Sequence, residues 1–295
     1  MNERHHPWNR HLHRIRERYP DLTIQSVSLN QDGQFNDILI VNEALVFRFA
    51  RYPAAARLEQ EIAILQLIQN YVTLPVPRPL FYDLEHDQRR MAFMGYSMIP
   101  GRPLWRHVFD QITNPEALDT LAAQIATFLR ELHHVPADVL RRLRLPLTDQ
   151  RDAYAAMYQR VQTELFEYMR PDARQQVSRE FEAYLDDHTM STFTPTLRHG
   201  DFGTGNLLWD PATERLTGVV DFGEAGLGDA AVDFAGILAS FDDDFYAHCS
   251  DYYPEMVTAA ARARFYKSTF ALQEALFGLE NGNADAFGSG IASYR

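Results

Sequence analysis

The sequence predicts an α+β chain of two unequal lobes. The small N-terminal lobe is a five-stranded antiparallel sheet with one helix, and the larger C-terminal lobe is mainly helical. Three observations carry this. Short segments of apolar alternation fall almost entirely within the first hundred residues, Pro100-Gly101-Arg102-Pro103 interrupts the pattern, and beyond it apolar positions recur at helical spacing.

In chain order, residues 7–19 read as a short entry helix. Strands follow at 22–29, 35–41 and 44–50, the last two joined by a tight turn at Asn42-Glu43. Over 54–70 the period becomes helical, with Leu58, Ile62, Leu65 and Ile68 on one face. Apolar segments at 79–83 and 91–99 complete the sheet. Asn114-Pro115 opens a helix carrying Leu118, Leu121, Ile125, Phe128, Leu129 and Leu132 at helical spacing. Further helices are expected over 152–169, 174–187, 229–240 and 255–279. The resulting domains are an N-terminal lobe over 1–98, a hinge over 99–103 and a C-terminal lobe over 104–295.

Composition narrows the function classes. Hydrophobic residues make up 46% of the 295, enough for a sizeable core. The single cysteine, Cys249, cannot form an internal disulfide, no apolar run is long enough to cross a bilayer, and the first residues lack the apolar stretch of a secretory signal. A cytoplasmic monomer is expected. The 28 Lys and Arg against 40 Asp and Glu give a net charge of -12, which argues against nucleic-acid partners and suits a cationic ligand.

The chemistry is concentrated in one stretch. His199-Gly200-Asp201-Phe202-Gly203-Thr204-Gly205-Asn206 leads into an apolar strand, a turn at Asp210-Pro211, and a return strand ending in Asp221-Phe222-Gly223. Such a hairpin brings Asp201, Asn206 and Asp221 to one end of two neighbouring strands. There one carboxylate can take a proton from an attacking hydroxyl, while an amide oxygen and a second carboxylate hold magnesium on nucleotide phosphates. Either fragment alone is ordinary turn chemistry; their order and spacing together predict phosphoryl transfer. Two other patterns do not reach chemistry. The glycines at 223, 226 and 228 lack dinucleotide-loop spacing, and His5, His6, His11 and His13 have no partner spaced to complete a metal set.

On these residues the chain resembles the aminoglycoside phosphotransferase and choline kinase superfamily, with its protein-kinase-like fold, and most of all the aminoglycoside 2″-O-phosphotransferases. The likeness extends through RYPDLTI, VFRFAR, LEQEIAIL, GYSMIPGRPL and FLRELHHV as well as the paired motifs. The resemblance implies Asp201 as the catalytic aspartate, Asn206 and Asp221 as ligands of Mg2+, and Glu61 as the brace of the phosphate-binding cation. Such kinases place lysine where this chain has Arg48, with Arg51 in reserve, and a planar fork is not a geometric equivalent of an ammonium. Gly33 and Gln34, in a turn over 31–36, are expected to offer backbone amides to phosphate. Ser97 and Ile99 are expected to meet the base through the backbone, leaving ATP and GTP both open as donors.

Protein kinases hold peptides on a long segment ending in APE, whereas here DFG runs within a few residues into Asp229 and Asp233, which are expected to brace the loop by hydrogen bonding. A small-molecule acceptor follows. The resemblance places Glu224, Asp242, Asp243 and Asp244 near a polycationic aminoglycoside, with Glu274 and Glu280 on the last helix as further candidates. The expected activity is transfer of the γ-phosphate to an aminoglycoside hydroxyl, at the 2″ position. The alternatives are another small alcohol (a macrolide, a choline-like molecule or a sugar) or a silent nucleotide-binding module.

Overall fold

The structure, a computed structural model, describes residues 8–30, 36–50, 55–85 and 92–295. Gly33, Gln34 and Arg51 lie outside the described residues.

Helix α1 (Asn9–Arg18) turns Leu12 and Ile15 inward. Next come β1 (Val27–Asn30), β2 (Asn36–Val41) and β3 (Leu45–Ala50), then α2 (Ala55–Ile68), β4 (Phe81–Asp83) and β5 (Phe93–Ser97). The five strands form one antiparallel sheet in the order β1-β2-β3-β5-β4. At the β2–β3 turn Ala44 N–H donates to the Val41 carbonyl, and the two central residues, Asn42 and Glu43, have φ of 54° and 53°. Both signs suit the twist of a tight hairpin. The Asn42 side chain accepts from Gln25 N and Ser26 N and donates to Thr23 O. This side chain takes up backbone groups that a strand over 22–29 would have paired, so β1 begins only at Val27.

The sheet is apolar on both faces. Leu39, Val41, Phe47, Phe49 and Phe93 pack with α1, whereas Met94 and Tyr96, alternate to Phe93, pack with Ile64 and Leu65 of α2. Arg48, lying between Phe47 and Phe49, therefore projects toward α2.

After the break, β6 (Arg102–Pro103) pairs with β8 (Leu207–Asp210), which pairs with β9 (Arg215–Val219). The second half of the expected hinge is thus stitched to the catalytic hairpin, and Thr217 Oγ1 also donates to the Pro100 carbonyl. Helices α3 (Arg106–Phe109), α4 (Pro115–His133), α5 (Ala137–Leu140), α6 (Gln150–Arg160) and α7 (Pro171–Asp186) follow. Asn114 caps α4 by accepting from Glu116 N, with Pro115 in the first turn.

The single helix expected over 152–169 instead continues from α6 as a π turn (Val161–Leu165) and a 3-10 turn (Phe166–Tyr168). Its inward residues Tyr154, Tyr158, Val161, Leu165 and Met169 are spaced mostly by four, which outruns a 3.6-residue period. The wider turn absorbs the excess.

Strand β7 (Thr196–Arg198) pairs with β10 (Gly226–Gly228), and α8 (Ala231–Ser240), α9 (Asp243–Tyr252), α10 (Glu255–Asn281) and α11 (Ala284–Ile291) close the lobe. The acidic run at 242–244 is a helix start. Asp242 accepts from Phe245 N, Asp243 and Asp244 stand in the first turn, and Phe245, Tyr246 and Cys249 are buried. None of the described helices is long and apolar enough to cross a membrane.

Candidate active site

Beyond β7 the chain enters His199-Gly200-Asp201, and its path is fixed from beneath. Gly200 has φ of 87°, and a Cβ there would strike the Glu224 carbonyl. Gly236 likewise lets α8 press against the Phe202 carbonyl, which any side chain would displace. From α8, the fully buried Asp233 accepts from His199 N and Gly200 N, each at 2.8 Å, and meets His133 Nε2 of α4 at 3.0 Å. Burial alone would raise the Asp233 carboxyl, but the His133 hydrogen bond and electrostatic attraction, with the Gly200 amide, outweigh it and hold the carboxyl below its ordinary range. The other bracing aspartate, Asp229, is gripped by Arg262 Nε at 2.7 Å and Tyr266 OH at 2.9 Å.

His199 continues the frame. Its Nδ1 accepts from Asp201 N at 3.3 Å, which leaves the proton on Nε2 to donate to Val220 O at 3.1 Å. The histidine thereby spans the catalytic loop and the strand that leads to Asp221.

The short turn Thr204–Asn206 then carries Asn206 back over Asp201. Asn206 Nδ2 donates to Asp201 O at 2.8 Å and to Asp201 Oδ2 at 3.1 Å. One amide group thus fixes both the loop and the exposed carboxylate. Val220 N donates to Asn206 O, which sets Asn206, just before β8, beside the residues just after β9 that lead to Asp221. Asp221 has φ of 63°, a left-handed conformation uncommon for a residue with a Cβ and typical of functional turns.

Arg48 Nη1 lies 2.6 Å from Glu61 Oε1 within the N-terminal lobe, and its Nη2 reaches across to Asp221 Oδ1 at 2.8 Å. Arg48 and Glu61 are 6% and 5% exposed, so water screens this contact little. Burial works against the guanidinium charge, yet Glu61 and Asp221 more than restore it and hold Arg48 firmly protonated. Gln60 Nε2 donates to the Ala225 carbonyl and Arg57 pairs with Glu224 at 2.9 Å, both reaching from α2 to the segment after DFG.

Asn206 and Asp221 each keep an oxygen that could hold a hard cation. Asn206 commits its N–H group to Asp201, leaving Oδ1 to face away, and Asp221 commits Oδ1 to Arg48, leaving Oδ2. One amide and one carboxylate oxygen fit a hard cation that takes its remaining ligands from phosphate and water. Among the described residues no three His, Cys, Asp or Glu side chains gather into a cage.

Asp201 opens on a cavity of about 340 Å³ walled by Gly203, Ser240, Phe270 and Gln273. Gln273 is shared with a second cavity of about 330 Å³ bounded by Tyr154, Met157, Arg160, Phe277 and Glu280. Glu280 approaches Arg160 at 3.8 Å, and Glu274 is exposed on α10. Asp242 lies 3.8 Å from Arg106 and Asp243 lies 3.0 Å from Arg264. Ser97 is exposed at the end of β5 on the inter-lobe strand, and Ile99 packs over Gly218 of β9. Sequence reasoning missed Ser240, Phe270 and Gln273. A polar line at Thr269, Gln273 and Glu280, running along one helix face, was the available signal.

Comparison with known proteins shows the family and the fold. The family model described as Phosphotransferase enzyme family matches residues 26–266. Viomycin phosphotransferase of Streptomyces vinaceus is 32% identical over 286 residues, covering 94% of this chain and 95% of that protein. Among solved structures, the GDP and kanamycin complex of an APH(2″) enzyme superposes with a TM-score of 0.89 at 24% identity, over 97% of each chain. A type I macrolide 2′-phosphotransferase superposes with a TM-score of 0.78 at 22% identity, over 100% of this chain and 99% of that one.

Proposed function

Because the chain belongs to the phosphotransferase enzyme family, we propose that it moves the γ-phosphoryl group of ATP or GTP to a hydroxyl of an aminoglycoside, at the 2″ position. The observation that carries this reading is the Asp201 carboxylate, oriented by Asn206 and opening on a cavity beside the Arg48–Glu61–Asp221 chain. Asp201 accepts the acceptor's hydroxyl proton, or holds that hydroxyl in line, as phosphorus is attacked. Arg48, braced by Glu61, offers its Nη2 edge to the phosphates. Asn206 and Asp221 would hold Mg2+, which supplies charge neutralisation across the phosphate oxygens. The backbone at Ser97 and Ile99 meets the base, and Gly33 and Gln34 are proposed as phosphate-binding on sequence grounds alone. Glu224, Asp242, Asp243, Asp244, Glu274 and Glu280 present the carboxylates that draw a cationic acceptor.

A second acceptor, viomycin, is favoured by the 32% identity to the viomycin enzyme. Incubation with ATP or GTP and, separately, kanamycin, gentamicin, viomycin and a macrolide decides between them, with the phosphorylated oxygen mapped by NMR. A 2″-phosphorylated aminoglycoside is the expected product. Failure to phosphorylate any of the four would overturn the reading, and viomycin phosphate alone would replace the acceptor.

A further inference from the structure

The cavity on which Asp201 opens has a wall unlike the acidic surface around it. Among the described residues that line it, Asp201 is the one ionisable side chain. Phe202, Val232 and Phe270 make much of the rest apolar, and the other polar side chains are Ser240 and Gln273. Of the acidic residues expected to attract a polycation, Glu224, Asp242, Asp243, Asp244 and Glu274 are not part of this wall, and Glu280 belongs to the second cavity.

Both neutral groups keep hydrogen-bonding capacity. Ser240 ends α8, and its Oγ accepts from Thr204 N at 3.2 Å, which uses a lone pair and leaves its own O–H without an acceptor among the described residues. Gln273 is exposed on α10, one turn beyond Thr269. Its Nε2 donates at 2.9 Å to Thr269 Oγ1, an oxygen whose proton already goes to the Tyr266 carbonyl at 2.7 Å. That chain of bonds orients the amide. Thr269 Oγ1 can only accept, so the amide nitrogen turns toward it and Oε1 is left with no partner among the described residues.

The wall therefore offers one hydroxyl donor and one amide acceptor in the same cavity as the Asp201 carboxylate. An ammonium leaves water at high cost unless charge replaces its hydration, and in this wall the replacing charge would be Asp201 itself. Asn206 already holds Asp201 Oδ2, so an ammonium would compete with the reacting hydroxyl for the carboxylate. A hydroxyl or an amide asks only for one donor and one acceptor. Ser240 and Gln273 supply both.

We propose that Ser240 and Gln273 are acceptor-binding, specificity-determining residues that take an uncharged hydroxyl or amide group beside the reacting hydroxyl. Ser240 donates to that group and Gln273 Oε1 accepts from it, so the ammonium groups of the acceptor stay outside this cavity. The inference rests on the phosphotransferase reading in naming the ligand as the acceptor.

The test is calorimetric titration of kanamycin and viomycin into the nucleotide-loaded full chain and its Gln273→Leu and Gln273→Glu variants. Gln273→Leu keeps a good helix former and removes the amide, so the Kd of a probe that the unmodified chain binds should rise about three- to tenfold, the loss of one neutral hydrogen bond. Gln273→Glu adds the charge that an ammonium would take. In high salt, where long-range attraction is screened, it should tighten either probe by less than about threefold. Nucleotide affinity should stay within about twofold in both variants, which a general disturbance of the site would not allow. Ser240→Ala should weaken the same probes, but it also strips the Thr204 amide of its partner, so the Gln273 variants decide. A Gln273→Leu Kd within about twofold of the unmodified chain, tightening by Gln273→Glu beyond about threefold, or no binding of either probe overturns the proposal. If Gln273→Leu does not fold, as judged by its melting curve, Gln273→Glu carries the comparison. Phosphoryl transfer is assayed separately. Gln273-dependent binding without transfer to any acceptor sinks the kinase reading alone, and transfer with Gln273-independent binding sinks this inference alone.

Discussion

The frame under the Asp201 loop and the exposed acidic rim formed by Glu224, Asp242 and Asp243 are both built from aspartates and glutamates, yet they are opposite kinds of structure. In the frame, Asp233 and Asp229 are 0% and 1% exposed and each takes several hydrogen bonds from fixed donors. At the rim, Glu224, Asp242 and Asp243 face solvent with side chains 59%, 52% and 69% exposed, and each meets a long arginine. A buried carboxylate without its partners is destabilising by several kcal/mol, whereas an exposed pair is worth little and re-forms readily. The loop around Asp201 is therefore held rigidly, while the exposed acidic surface can change partners.

The contrast breaks most sharply at Asp201. Asp201→Asn should lower turnover by about 10²–10⁴-fold and leave nucleotide affinity nearly unchanged, because the Asn206 bond holds the loop and only the proton acceptor is lost. Steady-state kinetics beside nucleotide titration checks this, and near-normal turnover would remove Asp201 from the reaction. Next in size, Asp233→Ala should cost about 3–5 kcal/mol in chemical denaturation by orphaning the His199 and Gly200 amides and His133. A loss under about 1 kcal/mol would mean that the frame is no more rigid than the rim.

Acid sharpens the same point. The Asp233 carboxyl sits below its ordinary value, so its contribution is complete above the unfolded carboxylate range and is lost as pH falls through the folded value. Asp233→Asn should flatten the stability-versus-pH curve below about pH 4, and an unaltered acid limb would contradict the assignment.

Arg48 belongs to the frame by burial and to the chemistry by position. Arg48→Lys keeps a charge for Glu61 but cannot reach two carboxylates as a fork, so nucleotide KM should rise by roughly tenfold. An improved KM would show that the lysine of related kinases is the better fit here too. The smallest effect is expected at the rim. Asp243→Asn should change stability by less than about 0.5 kcal/mol and raise the KM of a cationic acceptor only a few-fold, read from melting curves and kinetics.

The two-lobed architecture and the nearness of Asp201, Asn206 and Asp221 were legible because each rests on a local signal. Apolar periodicity marks the elements, and turn chemistry marks the hairpin. The strand over 22–29 was overestimated because alternation does not reveal that a distant Asn42 side chain will claim the backbone at 23–26. Helix α9 was not anticipated because the acidic run at 242–244 stands out as charge, while the capping pattern and the apolar residues after it are weaker signals. The roles of Ser240 and Gln273 depend on α8 and α10 lying side by side, which no window of sequence contains.

By itself the sequence determined the order of elements, the inward and outward faces of most of them, and the residue types that can carry phosphoryl transfer, because these follow from local periodicity and side-chain chemistry. Only the tertiary structure decided that Arg48 reaches both Glu61 and Asp221 and that Asp233 grips the loop from below. Those are facts of partnership among groups far apart in the chain. Partnership depends on distance and desolvation, which exist only once the lobes have packed.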